Sequence, residues 1–169
     1  NVGWARFEHQ QHRAGWHPKL LLWPLFNLLV ASKVMAKLGG RLRLAVVGGA
    51  PLPVGVAKLF IGLGLPMIQG YGLTETSPVI SVNPVEDNEP ASVRCLLEDV
   101  EARIGKQDEL LVRSPGVMLG YWANDKATSM AIDSDGWLHT GDKARIENSH
   151  VYITGRLKEI IVLANGEKV

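Results

Sequence analysis

Apolar residues crowd the first third of this chain and alternate with polar ones in the last third. Leu20, Leu21, Leu22, Trp23, Leu25, Phe26, Leu28 and Leu29 fall within one short run. That density exceeds the single stripe of an ordinary surface helix. The run predicts a helix that continues over 31–38 and stops at Gly39-Gly40. The apolar stretch from Lys19 to Val30 falls short of the roughly 20 residues a bilayer span needs, and Pro24 interrupts it. A core or interfacial helix is the first reading, and contact with a membrane surface is the second. Residues 42–47 read as a buried strand ending at Gly48-Gly49. Pro51 and Pro53 then open a helix through Leu63, because proline suits a first turn, and Gly62 and Gly64 close it. Residues 66–69 form a second strand. Strand, helix and strand at this spacing make a βαβ unit, whose ligands gather at the carboxyl ends of the strands.

The pattern changes after Pro90. Runs of β type at 100–104, 109–112, 136–140, 143–146, 150–154 and 159–163 alternate with turn residues. One helix interrupts them, from 125 to about 132, with Asn124 or Asp125 as its cap. Lys106-Gln107-Asp108, Glu147-Asn148-Ser149 and Asn165-Gly166 read as hairpin turns. The prediction is an α/β portion followed by a small antiparallel β-barrel. Three units are expected: 1–90, 91–155, and 156–169 as a hinge and the start of a further domain. Residues 1–18 carry no period that places them.

Composition changes the picture only modestly. A chain of 169 residues buries one core or parts of two. Its formal charge is +1, its acids and bases read as interspersed, and no basic stripe points to nucleic acid. Cys95 is the only cysteine, so no internal disulfide forms, which fits a reducing compartment. No secretory signal pattern opens the sequence. His9, His12 and His17 have only Glu8 as a nearby carboxylate, and their spacing matches no ordered zinc set. They read as surface histidines. The abrupt ends at Asn1 and Val169 suggest an interior piece of something longer.

The chemistry concentrates in Gln69-Gly70-Tyr71-Gly72-Leu73-Thr74-Glu75. Glycines beside a tyrosine let backbone approach a ligand while the ring offers a flat face. A threonine next to a glutamate can hold a phosphate oxygen with one side chain and magnesium with the other. That combination suggests a nucleotide. Upstream lies Gly48-Gly49-Ala50-Pro51-Leu52. Downstream lie Gly136-Trp137-Leu138-His139-Thr140-Gly141-Asp142 and Gly155-Arg156-Leu157-Lys158-Glu159-Ile160-Ile161. Taken alone, an Asp after Thr-Gly is a common turn residue and an Arg a common surface ion-pair partner.

The ordered set of four motifs resembles the adenylate-forming superfamily, from about Leu38 to the last residue. The resemblance implies that the backbone of Gly49, Ala50 and Pro51 lies along adenine, and that Gln69 and Gly70 border adenine and the acyl carboxylate. It sets Tyr71 against the adenine ring, with Gly72 and Leu73 in the same binding loop. Thr74 would bond the α-phosphate and Glu75 would ligate Mg2+. Asp142 would accept the ribose hydroxyls, Arg156 would reach ribose or phosphate, and Ile153 would pack beside the nucleoside. Lys158 matches the hinge about which a small C-terminal domain turns. The family's Ser/Thr/Gly-rich phosphate loop and catalytic lysine match nothing in these 169 residues, so the chain alone is expected to be inactive.

The wider text resembles bacterial long-chain fatty-acid–CoA ligases. Leu38-Gly39-Gly40-Arg41-Leu42-Arg43, Thr76-Ser77-Pro78-Val79-Ile80-Ser81-Val82-Asn83 and Val117-Met118-Leu119-Gly120-Tyr121-Trp122 carry that likeness. ATP, AMP, Mg2+ and coenzyme A are the implied cofactors, a long-chain fatty acid the implied substrate, and the cytoplasm the implied location. Transfer to a carrier protein, or a non-catalytic nucleotide- or lipid-binding descendant, are the alternatives. Four positions depart from the family pattern: Ala91, Arg94, Ala144 and Ser149 stand where glycine is usual. Such residues resist positive φ.

Overall fold

The computed structural model describes residues 2–50 and 52–158. Pro51, the strand expected over 159–163 and the Asn165-Gly166 turn lie outside the described residues.

The chain opens with α1, Val2–Gln10, in the stretch that gave no sequence signal. Only Gly3 and Phe7 of this helix are buried, too few to leave a period. Phe7 packs with Ala57, Ile61, Leu65 and Met67. Next comes α2, Pro18–Lys37, a continuous helix. It starts as a 3-10 turn over Pro18–Leu22 and carries a π turn at Asn27–Ala31. Pro24 does not interrupt it. That residue sits in the first α-helical turn, where a missing N–H forfeits little. The helix is therefore longer than its apolar run, and its 20 residues and hydropathy of 1.4 suffice by length and composition to cross a membrane. It is no core helix among the described residues: Leu21, Leu22, Leu25, Leu28 and Leu29 are exposed and only Ala31 is buried.

The first sheet has the order β1-β2-β3-β4. Strand β1, Ala45–Val47, leads through α3, Val54–Gly62, to β2, Met67–Gly72. Parallel pairing of Val47 with Gln69 completes the expected βαβ unit. β1 is shorter than 42–47 and is not a fully buried strand, since Val46 stays exposed. β2 runs further than expected, so Gln69, Gly70, Tyr71 and Gly72 are strand residues. Strands β3, Val79–Val82, and β4, Cys95–Leu96, add antiparallel pairings. The first sheet thus extends past residue 90.

The second sheet is antiparallel and curled, in the order β5-β6-β7-β8. Its strands are β5, Glu101–Ile104; β6, Glu109–Arg113; β7, Leu138–Glu147; and β8, His150–Arg156. Between β6 and β7 lies α4, Asp125–Ala131, where Asn124 caps by accepting from the Ala127 N–H at 3.0 Å. The two runs at 136–140 and 143–146 are one strand, β7, with an irregularity between Lys143 and Ala144. Gly141 and Asp142 accordingly lie within a strand rather than on a hairpin turn. Leu110, Val112, Ala144 and Val151 form the core with Ile80 and Val93, which ties the two sheets together.

Of the four positions that lack the usual glycine, Arg94 and Ser149 adopt positive φ, at 24° and 63°. Ala91 and Ala144 do not, and Ala144 buries its methyl group in the core. Charge is not interspersed as first read. No Asp or Glu occurs from His9 through Thr74, a stretch with seven Lys and Arg residues, and the acids cluster after it.

Candidate active site

β2 carries the site from one sheet toward the other. Its end is pinned by Thr76, whose hydroxyl lies 2.6 Å from the Pro78 carbonyl and accepts the Leu73 N–H at 3.1 Å. Leu73 has no side-chain acceptor, so Thr76 alone closes this 3-10 turn, Thr74–Thr76. The turn demands a glycine at 72. A Cβ there would stand 1.9 Å from the Pro78 carbonyl oxygen. On the other side, a Cβ on Gly48 would lie 3.3 Å from the Gly70 carbonyl. Gly48 therefore lies beside Gly70, one step past the parallel pairing of Val47 with Gln69.

Tyr71 reaches across to the second sheet. Its hydroxyl donates to Asp142 Oδ2 at 2.6 Å. Arg156 Nε donates to Asp142 Oδ1 at 2.6 Å. Pairing of Asp142 with Arg156 between β7 and β8 sets that second contact. Asp142 is only 5% exposed, so both of its oxygens are used inside a nearly dry setting. Burial, then the Asp142 carboxylate, pushes the Tyr71 hydroxyl far above its ordinary range and keeps it a neutral donor. The same carboxylate raises the Arg156 guanidinium.

Three side chains position Asp142. Glu109 accepts the Gly141 N–H at 3.0 Å through Oε1, and its Oε2 meets His139 Nδ1 at 2.9 Å. The Thr140 hydroxyl donates to the Leu110 carbonyl at 2.7 Å and accepts the Asp142 N–H at 3.1 Å. Sequence reading assigned no role to Glu109 or His139. The His-Thr-Gly-Asp string held the signal, since each residue of it fixes its neighbour.

Glu75 stands on the Thr74–Thr76 turn beside exposed Thr74. Tyr121 donates its hydroxyl to Glu75 Oε1 at 2.9 Å, and this bond raises the Tyr121 hydroxyl above its usual range. Among the described residues, Glu75 Oε2 has no protein donor, and no cluster of three His, Cys, Asp or Glu could hold a metal. One carboxylate with a free hard oxygen suits Mg2+, which takes its other ligands from phosphates and water.

The structure thus joins Tyr71, Asp142 and Arg156 by direct bonds and sets Gly48, just before Gly49 and Ala50, beside Gly70. Ile153 and Tyr71 both pack against the core that the two sheets share. Gln69 Oε1 is buried without a partner among the described residues. Lys158, the last described residue, is exposed. A cavity of about 530 Å³, lined among others by Arg6, Trp23, Met35 and Leu63, includes none of these site residues.

The arrangement is a buried acid held between a tyrosine and an arginine, next to a glycine-lined strand end. Comparison with known proteins gives the family. The AMP-binding enzyme family profile matches residues 20–122, and the chain belongs to that family. It is 42% identical over 146 residues to the long-chain-fatty-acid–CoA ligase FadD15 of Mycobacterium bovis, covering 86% of this chain and 24% of that protein. It is 33% identical over 174 residues to the chloroplastic long-chain-fatty-acid–[acyl-carrier-protein] ligase AEE15 of Arabidopsis thaliana, covering 88% and 24%. ATP-bound MatB from Rhodopseudomonas palustris superposes with a TM-score of 0.63 at 29% identity, covering 73% of this chain and 27% of that one. The chain spans about a quarter of the length of the curated relatives it matches.

Proposed function

We propose that this chain forms the nucleotide-facing part of an ATP-dependent long-chain fatty-acid–CoA ligase. The observation that carries the reading is Asp142, buried and aimed between Tyr71 and Arg156. A ribose diol can take the place of the Tyr71 hydroxyl on Asp142, which frees the ring to lie against adenine. The buried Gln69 Oε1 is an acceptor suited to the adenine amino group, with the Gly49-Ala50 backbone alongside. Thr74 and Glu75, on the exposed turn, would face the α-phosphate and its Mg2+. That cation would neutralise phosphate charge as pyrophosphate leaves.

The reaction needs no protein nucleophile. A substrate carboxylate attacks the α-phosphorus, pyrophosphate departs, and a thiol then displaces AMP from the acyl adenylate. The protein aligns the groups and stabilises phosphate charge. Lys158, exposed where the described residues end, would be the hinge between the two steps. FadD15 supports coenzyme A as the acceptor, and AEE15 supports a second reading in which a carrier-protein thiol takes its place.

The test uses the full-length protein with palmitate and ATP, offered coenzyme A and a pantetheine-bearing carrier protein in parallel, with products read by mass spectrometry. Palmitoyl-CoA and AMP are the expected products. Acyl transfer to the carrier alone would select the second reading. No AMP release with either acceptor, together with intact ATP binding, would leave the non-catalytic descendant.

A further inference from the structure

The string Val117-Met118-Leu119-Gly120-Tyr121-Trp122 has no part in the function derived so far, yet it grips the Glu75 turn at two points. Met118 N–H donates to the Glu75 carbonyl at 2.8 Å, and the Tyr121 hydroxyl donates to its carboxylate. The strap has its own anchor. Tyr121 N–H donates to Thr128 Oγ1 at 2.9 Å, and that hydroxyl donates to the Asn124 carbonyl at 2.9 Å, which fastens the loop to α4. Gly120 makes this approach feasible. Its φ is +151°, and a Cβ there would stand 2.7 Å from Thr128 Cγ2. Leu119 and Trp122 point fully into solvent, whereas Tyr121, 40% exposed, lays its hydroxyl on Glu75.

A carboxylate at the tip of a short turn samples several rotamers unless something holds it. Tyr121 takes one lone-pair site on Oε1 and leaves Oε2 without a protein donor. We propose that Tyr121 is a positioning residue for the divalent cation, holding Glu75 in one rotamer while leaving Oε2 to the metal. The inference rests on the metal role of Glu75 proposed above. Outer partners that orient a metal ligand commonly change affinity without touching the ion.

The test measures Mn2+ binding to the full-length protein with a non-hydrolysable ATP analogue, read from the electron paramagnetic resonance signal of free Mn2+. Wild type, Tyr121→Phe, Glu75→Gln and the double variant are compared. Tyr121→Phe should weaken Mn2+ binding about tenfold, and the Mg2+ concentration for half-maximal activity should rise in step. In the Glu75→Gln background, Tyr121→Phe should cost nothing more. Unchanged Mn2+ affinity in Tyr121→Phe, with a loss in Glu75→Gln, would overturn the inference and leave the metal assignment standing. A loss that persists undiminished in the double variant would also overturn it, because Tyr121 would then act elsewhere. Wild-type Mn2+ binding by Glu75→Gln would remove the metal role of Glu75, and the inference with it.

Discussion

Asp142 and Glu75 are the two carboxylates proposed to face the nucleotide, and the protein treats them in opposite ways. Asp142 lies within a long strand, is nearly inaccessible, and has both oxygens bonded by residues from two other strands. Glu75 stands on a three-residue turn, partly exposed, with a single side-chain donor on its carboxylate. Beneath Asp142 lies the shared core of the two sheets, which includes Leu110 and Val112, both fully buried. A rigid acid suits a group that only binds, such as a sugar. An acid held by one bond suits an end where charge moves and a leaving group departs with its metal. Sharing of a site between fixed and adjustable parts fits the proposed ligase, which would bind ATP and then release pyrophosphate.

The contrast can be broken experimentally, most severely at Asp142. Asp142→Asn leaves the Tyr71 hydroxyl and Arg156 without their charged partner. We expect the KM for ATP to rise about a hundredfold, since hydrogen bonds to charged groups are among the costlier ones to lose. Steady-state kinetics at saturating acid checks this, and the KM for the acid should hardly move. If Glu75→Gln weakened metal-free ATP binding as much, the division into a fixed sugar end and an adjustable phosphate end would fail. Leu110→Ala probes the support below Asp142 and should cost about 3 kcal/mol of stability by chemical denaturation.

Glu109→Gln sharpens the comparison further. The amide oxygen can still accept the Gly141 N–H, but the charged contact to His139 is lost. The expected cost is about 1 kcal/mol in thermal unfolding, with a few-fold rise in KM for ATP if Asp142 loses its setting. The smallest effect concerns pH. Burial first, then the charge of Arg94, lowers the His150 imidazole below its ordinary value of 6.5, while Glu89 opposes and Arg13 adds to the shift. Ser92 Oγ contacts its Nδ1 at 3.1 Å. A folded-state pKa below the unfolded one means that the unfolded chain binds the proton more readily. The contribution is therefore complete above pH 6.5 and is lost as pH falls through the folded value. Melting curves against pH should show a slope in that window that His150→Gln flattens.

Much of this was legible in the sequence because it is local. The βαβ unit announces itself through proline, glycine and short apolar runs, and α4 through its Asn124 cap. The 147–149 turn lies where its residues suggested. Misreadings arose where distant groups decide the outcome. Gly141 looks like a break, yet Glu109 binds its N–H and the Leu110 carbonyl holds the neighbouring Thr140 hydroxyl, which keeps it inside β7. Pro24 looks like an interruption, yet a preceding 3-10 turn absorbs it. Helix α1 buries one large side chain and so leaves no pattern. Tyr71 and Asp142 were each singled out, but their bond joins residues 71 positions apart, which no local pattern records. Tyr121 and Glu75 meet across 46 positions for the same reason.

Acid-dependent exchange of labelled pyrophosphate into ATP tests the central claim most directly. The full-length protein and its Asp142→Asn variant would be compared with acids from acetate to palmitate, plus benzoate. The account predicts exchange that peaks with long acyl chains and collapses in the variant at ordinary ATP concentrations. Absence of exchange with every acid, in a folded protein that binds ATP, would contradict it. So would exchange indifferent to the loss of the Asp142 charge.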